Sequence, residues 1–197
     1  MSSPADPLII SPRRTALLLL DFQGMVVGQI SGPDPLIERV AALRHMARQV
    51  GLLTIHIHVA FRPGYPEVSD HNPMFRAVKE YGLMLRDSAD SDFDPRLTPA
   101  KDDVTISRTR VGAFRATPLD QILRANAIEV LLIAGINTSG TVLSTVRDGA
   151  DRDYQLIVVE DCCADPDEDL HRVLIDRVLP MQARLVSSAA VVAALAD

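Results

Sequence analysis

The chain is predicted to adopt a three-layer α/β/α fold around a six-stranded, mainly parallel sheet. Two patterns in the sequence and one feature of its composition predict this. Short apolar runs of strand length end abruptly at polar residues or glycine. Between them lie stretches whose apolar residues recur at helical spacing, so strands and helices alternate, as in a parallel sheet covered on both faces. The core must be built from Leu, Val, Ile and Ala, since only 4% of residues are aromatic and none is Trp, and buried parallel strands have that composition.

The first strand is predicted at Thr15 to Leu20, stopped by Asp21. A Gly-rich connection (Gly24, Gly28, Gly32) leads to Pro33-Asp34-Pro35, a helix start. The residues Leu36, Ile37, Val40, Ala41, Leu43, Ala47 and Val50 then follow a helical period, and Gly51 ends it. Leu52 to Val59 is the second strand and Val104 to Ile106 the third. Thr117-Pro118 supplies an N-cap and a first-turn proline for a helix at Leu119 to Ala127. Val130 to Ala134 is the fourth strand, stopped by Gly135. A helix from about Ser139 to Ala150, a strand at Gln155 to Val159, and a helix from Asp165-Pro166 to about Leu179 follow. A strand at Arg184 to Val186 and an Ala/Val helix complete the pattern. No repeat, low-complexity segment or linker divides it, so residues 1–197 are expected to form one domain.

The net charge of −6 and the scattered Lys and Arg exclude nucleic acid and anionic membrane as main partners. No apolar run approaches a membrane span, and Met1 to Arg14 lack the pattern of a signal peptide. The two cysteines, Cys162 and Cys163, are adjacent and unsuited to pairing with each other, so a cytoplasmic location is expected.

In a parallel sheet, ligands bind at the carboxyl ends of strands, which directs attention to a few residues. Asp21 is a partly desolvated carboxylate suited to acid/base work, or a loop cap. Arg108 is suited to pairing with Asp21 or to holding an anionic substrate, or is a surface residue without a partner. Gly135 to Val142 joins a strand to a helix, where backbone N–H groups can stabilise an oxyanion, although such turns are common. His56, His58 and His71 offer a weak metal pattern, with core or supporting roles preferred. Cys162-Cys163, flanked by Asp161 and Asp165, is read as buried filler, because nearby acids raise a thiol's pKa. The acidic stretch Asp165 to Asp169 is read simply as favourable charge at a helix N-terminus.

Three segments together resemble the isochorismatase-like, or cysteine-hydrolase, superfamily over nearly the whole chain. They are Leu17 to Gln23, Arg108 to Phe114, and Ala134 to Val142 with the following Ser144-Thr145 helix. The resemblance implies a Rossmann-like fold, homo-oligomers, and a site built from Asp, Lys and Cys. Members hydrolyse amides through a thioester, whereas isochorismatases cleave a vinyl ether without the Cys. The family Asp falls on Asp21, the Lys on Arg108 and the Cys on Thr141. Arg keeps the charge but does not give up its proton, and a Thr hydroxyl is far less acidic than a thiol. The resemblance also implies a non-proline cis peptide near Gly135-Ile136-Asn137. The nicotinamidase metal motif is not reproduced around His56, His58 and His71, and Phe61 to Glu67 differs from the siderophore-pathway loop.

The expected function is therefore hydrolysis of a small anionic or amide-like metabolite, by a branch that lacks the catalytic Cys. Asp21 would be the acid/base, with Arg108 and Thr141 completing the catalytic set. Phe114, Asn137 and Gly140 would contact substrate; Phe114 would form an apolar wall. No metal or cofactor is expected, and the partner is a small molecule in a dimer or larger assembly. The Met-containing segment Pro73 to Leu85 is the expected assembly surface. The alternative is a non-catalytic member that binds a small molecule or a protein.

Overall fold

Residues 7–196 are described by a computed structural model. Residues 1–6, part of the stretch read as lacking a leader, and residue 197 lie outside the described residues. Strands β1 (Thr15–Leu20), β2 (Leu53–Val59), β3 (Val104–Arg108), β4 (Val130–Ile136), β5 (Gln155–Ala164) and β6 (Arg184–Val186) form one sheet in the order β3-β2-β1-β4-β5-β6. Every pairing between them is parallel. The chain thus runs outward from β1 to one edge, then returns to β4 and runs to the other. That reversal opens a crevice between the carboxyl ends of β1 and β4.

The apolar run of β1 is buried along its whole length because side chains go to both covered faces. Leu17 and Leu19 pack with Leu36, Ile37, Val40 and Leu43 of helix α2 (Asp34–Gln49) and Val191 of the C-terminal helix (Ser188–Ala196). Ala16, Leu18 and Leu20 pack on the other face with Leu119 and Leu123 of a helix at Leu119–Ala125 and Val146 of a helix at Leu143–Ala150. Between α2 and these lies helix α3 (Pro73–Glu80), so in chain order the later helices are α4 (Leu119–Ala125), α5 (Leu143–Ala150), α6 (Glu168–Val173) and α7 (Ser188–Ala196). A single turn, Gly24–Val27, is α1.

Several boundaries differ from the sequence expectation for local reasons. Helix α4 stops at Ala125 because Ala127 turns the chain with φ 52°. The segment Thr138–Val142 is a widened helical turn, so regular α5 begins only at Leu143. Asp167 caps α6 by accepting from the Leu170 N–H at 2.9 Å, and the chain widens again over Leu174–Val178. Strand β5 runs to Ala164, its register against β4 shifting between Ile133 and Gly135. Cys162 and Cys163 therefore sit inside a strand, one in each face's core. The alternation of a strand keeps the two thiols apart.

The segment Pro73 to Leu85, expected to be an assembly surface, also contributes to a third small core. Helix α3 is capped by Asn72, whose side chain accepts from the Phe75 N–H at 3.2 Å. Phe75 and Met84 are buried with Phe61, Tyr65 and Val68 above the carboxyl edge of the sheet. Met74 and Tyr81 remain exposed.

Gly135 is the most closely packed of the glycines. A Cβ there would lie 2.6 Å from the Leu20 Cβ and 2.9 Å from the Leu20 carbonyl oxygen. Neither neighbour is the end of a flexible side chain. Gly135→Ala is therefore expected to destabilise the fold by roughly 1–3 kcal/mol or more in urea titration. Gly24→Ala, with nothing within 4 Å of the added carbon, is the matched control and should change stability little.

Candidate active site

Asp21, Arg108 and Thr141 meet in the crevice between β1 and β4. Asp21 follows the last residue of β1 with φ 58°, anchored by its own N–H on the Ile57 carbonyl at 2.8 Å. That left-handed turn is unfavourable for a residue with a Cβ, and it takes the carboxylate out of the strand's alternation. Arg108 is the last residue of β3. The Ile136–Asn137 peptide bond is cis, where the resemblance placed one. After it the chain enters the Thr138–Val142 turn that carries Thr141.

Asp21, Arg108 and Thr141 are 5%, 3% and 2% exposed. One guanidinium nitrogen, Nη2 of Arg108, donates both to Asp21 Oδ2 and to Thr141 Oγ1, the latter at 3.0 Å. Nη1 donates to the Arg110 carbonyl. The second Asp21 oxygen, Oδ1, and Asn137 Oδ1 are buried acceptors without a hydrogen-bond partner among the described residues. Burial pushes the Asp21 carboxyl up to about 6, against the charge and hydrogen bond of Arg108 and the hydrogen bond of Thr141, all of which pull it down. The result is a carboxylate that exchanges its proton near neutral pH. The three residues face an open pocket of about 170 Å³, which Asn137 and Gly140 also line.

The turn that carries Thr141 is fixed from behind. Asp165 Oδ2 accepts from both the Ser139 N–H at 2.8 Å and its hydroxyl at 2.6 Å. The Thr138 hydroxyl is 2.8 Å from His171 Nδ1 of α6. Asp165 is therefore more than helix-terminal charge: Asp167 caps α6, which leaves Asp165 for the turn. The Gly140 and Val142 N–H groups donate to the Asn137 carbonyl at 3.2 and 3.3 Å. Those two donors of the Gly135 to Val142 turn are committed within the chain, whereas the oxyanion expectation rested on N–H groups near Asn137 and Thr141. Gln23, two residues beyond Asp21, is fully buried and ties β2 to the loop above it. Its amide donates to the Val59 and Ser91 carbonyls at 3.0 and 2.9 Å and accepts from the Val59 N–H at 2.9 Å. A buried Gln just after a strand end was the available signal for that role.

Phe114 does not join the pocket. Its ring stacks on Tyr154 at 5.9 Å between ring centroids and lies in the core on the α4–α5 face. The apolar walls come instead from Met74, Phe75 and Val78 of α3, with Val26, Met84 and Val111. The histidines lie elsewhere. His56 meets Asp103 at 3.1 Å, and burial holds its imidazole down at about 4. His58 stacks on Phe93 at 4.8 Å, and His71 is exposed. Among the described residues no group of three or more His, Cys, Asp and Glu is arranged to hold a metal ion.

A family model described as the isochorismatase domain matches residues 15–190. Maleamate amidohydrolase of Pseudomonas putida is 28% identical, over 81% of this chain and 76% of that protein. A ureidoacrylate amidohydrolase of Klebsiella variicola is 30% identical, over 80% of this chain and 77% of that protein. A solved cysteine hydrolase from Pseudomonas syringae pv. phaseolicola superposes with a TM-score of 0.89 at 22% identity, covering 100% of this chain and 99% of that one. N-carbamoylsarcosine amidase from Thermoplasma acidophilum does so with a TM-score of 0.73 at 23% identity, covering 89% and 96%. At those identities the two solved structures bear on the fold.

Cys162 and Cys163 are buried, and burial pushes the Cys163 thiol up to about 12 and that of Cys162 up further still. The native protein is therefore expected to take up no iodoacetamide. Thr141→Cys puts a thiol at the pocket floor beside Arg108, a cation that favours thiolate. Mass spectrometry should find one added label in the folded variant, on residue 141, and none in the parent.

Proposed function

The chain belongs to the isochorismatase family of hydrolases, and from that membership we propose that it hydrolyses a small amide-like metabolite without a cysteine nucleophile. The observation that carries this reading is the buried Asp21–Arg108–Thr141 cluster at the pocket floor. The similarity to maleamate and ureidoacrylate amidohydrolases supports amides as the substrate class.

Asp21 is the general acid/base. Its oxygen Oδ1 and Asn137 Oδ1, both unpartnered, suit the two N–H donors of an unsubstituted amide. Asp21 takes a proton from water as the water oxygen bonds to the amide carbon. It then gives that proton to the nitrogen as the C–N bond breaks and ammonia leaves. Arg108 keeps its proton throughout. In the resting site its charge is balanced by Asp21. Once Asp21 is protonated, the same charge serves the negative oxygen developing on the substrate, with little rearrangement. Thr141 holds the guanidinium in place and lines the floor. The family thioester route needs a thiol, and no thiol stands here.

Ammonia release from a panel of small amides tests this reading. Asp21→Asn should lower kcat/KM by about 10²–10⁴, while Thr141→Ala keeps a measurable rate. Equal losses in both variants, together with an acyl group trapped on residue 141 and found by mass spectrometry, would make the Thr141 hydroxyl the nucleophile. Binding without turnover on any amide would return the non-catalytic alternative.

The base works in its ionised form, so kcat/KM should rise with pH and level off above an apparent pKa near 6. Arg108→Gln removes the influence that lowers the Asp21 pKa, so this limb should move to higher pH. An unmoved limb would assign it to another group. The expected homo-oligomer belongs to the same reading, with exposed Met74 on α3 and Tyr81 just after it available for contact. Light scattering at micromolar concentration should give a mass above that of the monomer.

A further inference from the structure

We propose that the amide accepted here carries an uncharged, apolar acyl group rather than a second carboxylate. This inference rests on the amide reading above and adds the chemistry of the rest of the substrate.

Beyond the polar floor of Asp21, Arg108, Asn137 and Thr141, the pocket wall is apolar and uncharged. Val26, Met74, Phe75, Val78, Met84 and Val111 form it, and Gln29 stands at the exposed rim. Among the described residues that line the pocket, the only charged ones are Asp21 and Arg108, and these are paired with each other. The other arginines nearby face elsewhere. Arg110 lines a separate recess with His71 and Asn72 and donates to the Thr109 carbonyl. Arg62 and Arg86 line a neighbouring recess with Glu67, Ser107 and Thr109 that reaches Arg108 from its other side, outside the pocket lined by Met74 and Val78.

A substrate carboxylate entering this pocket would leave water and meet no unpaired positive charge. The one guanidinium present already holds a carboxylate, so a second anion would compete with Asp21 for the charge that keeps the base in place. Taking an unpaired charge out of water is far more costly than any contact these side chains return. An alkyl or aryl group loses nothing on entry and gains the contact area of the wall. Methionine side chains adapt to differently shaped apolar groups, and Met74 and Met84 both line the pocket. The acyl preference should therefore be broad in shape and strict in charge.

The test uses pairs of equal length and geometry, hexanamide against adipamate and crotonamide against fumaramate. Ammonia release is measured on the native protein, and binding is measured separately by calorimetry. The neutral member of each pair should bind at least tenfold more tightly and, where turned over, have the higher kcat/KM. Along acetamide, butyramide and hexanamide, affinity should rise by roughly fourfold per methylene until the pocket is filled. Val78→Lys places a cation in the wall and should narrow or reverse the charge preference. Gln29→Lys does the same at the exposed rim, should the buried change impair folding. Equal or tighter binding of the carboxylate members would overturn the proposal, as would binding of neither member. So would folded Lys variants that leave the preference unmoved. Neutral amides that bind preferentially but release no ammonia would leave the proposal standing and remove the amidase reading, so the two failures are distinct.

Discussion

The ion pair between Arg108 and Asp21 is the interaction on which this site depends. Both partners are buried at the carboxyl edge of the sheet, and each alone would be a heavily penalised charge. Their contact has to be built from opposite parts of the chain. The central strand delivers Asp21 and the edge strand β3 delivers Arg108. The turn after β4 adds Thr141 as a third member, held by the same guanidinium nitrogen. The close approach of Gly135 to Leu20 brings β4 near enough for that turn to reach the pair. Asp165 and His171 then hold the turn from the far side.

The pair also shapes the chemistry proposed above. A lysine in the family's position can share its proton with neighbours, whereas a guanidinium remains charged throughout the accessible pH range. In the proposed chemistry, proton movement is thereby confined to Asp21, whose burial lifts it toward neutrality in spite of its partner. A hydroxyl at Thr141 adds a hydrogen bond without adding a strong nucleophile. The two departures from the family pattern are thus physically coherent: a fixed cation, a movable proton on one carboxylate, and a neutral hydroxyl between them.

Much of this arrangement was legible in the sequence because it follows from strand ends. The run Thr15–Leu20 has the length and composition of a doubly buried strand, and a polar residue at its carboxyl end can only face the crevice or a loop. The same reasoning found Arg108 at the end of β3 and the turn after β4. What stayed hidden depends on which face a side chain takes and on contacts distant in sequence. Phe114 lies beyond β3, and nothing local tells whether its ring turns toward the crevice or, as it does, toward Tyr154. Helix α3 is only two turns long, and although Asn72-Pro73 and the spacing of Met74, Phe75 and Val78 marked it, local spacing does not tell that its apolar residues divide between a small core and the pocket wall. In the acidic run before α6, only the structure separates Asp167, which caps the helix, from Asp165, which grips a turn in another part of the chain.

The pairing of Arg108 with Asp21 has a consequence for how molecules arrive. Two opposite charges in contact present a dipole to the solvent, and the field of a dipole decays faster with distance than that of a single charge. The mouth of the pocket is walled by apolar side chains, which add no field of their own. A diffusing ligand therefore receives no long-range electrostatic guidance from this site, unlike clefts lined by charges of one sign, whose encounter rates fall steeply with ionic strength. Capture is governed by diffusion and by the width of the opening, so the encounter rate of an uncharged molecule with this pocket is set independently of the salt around it.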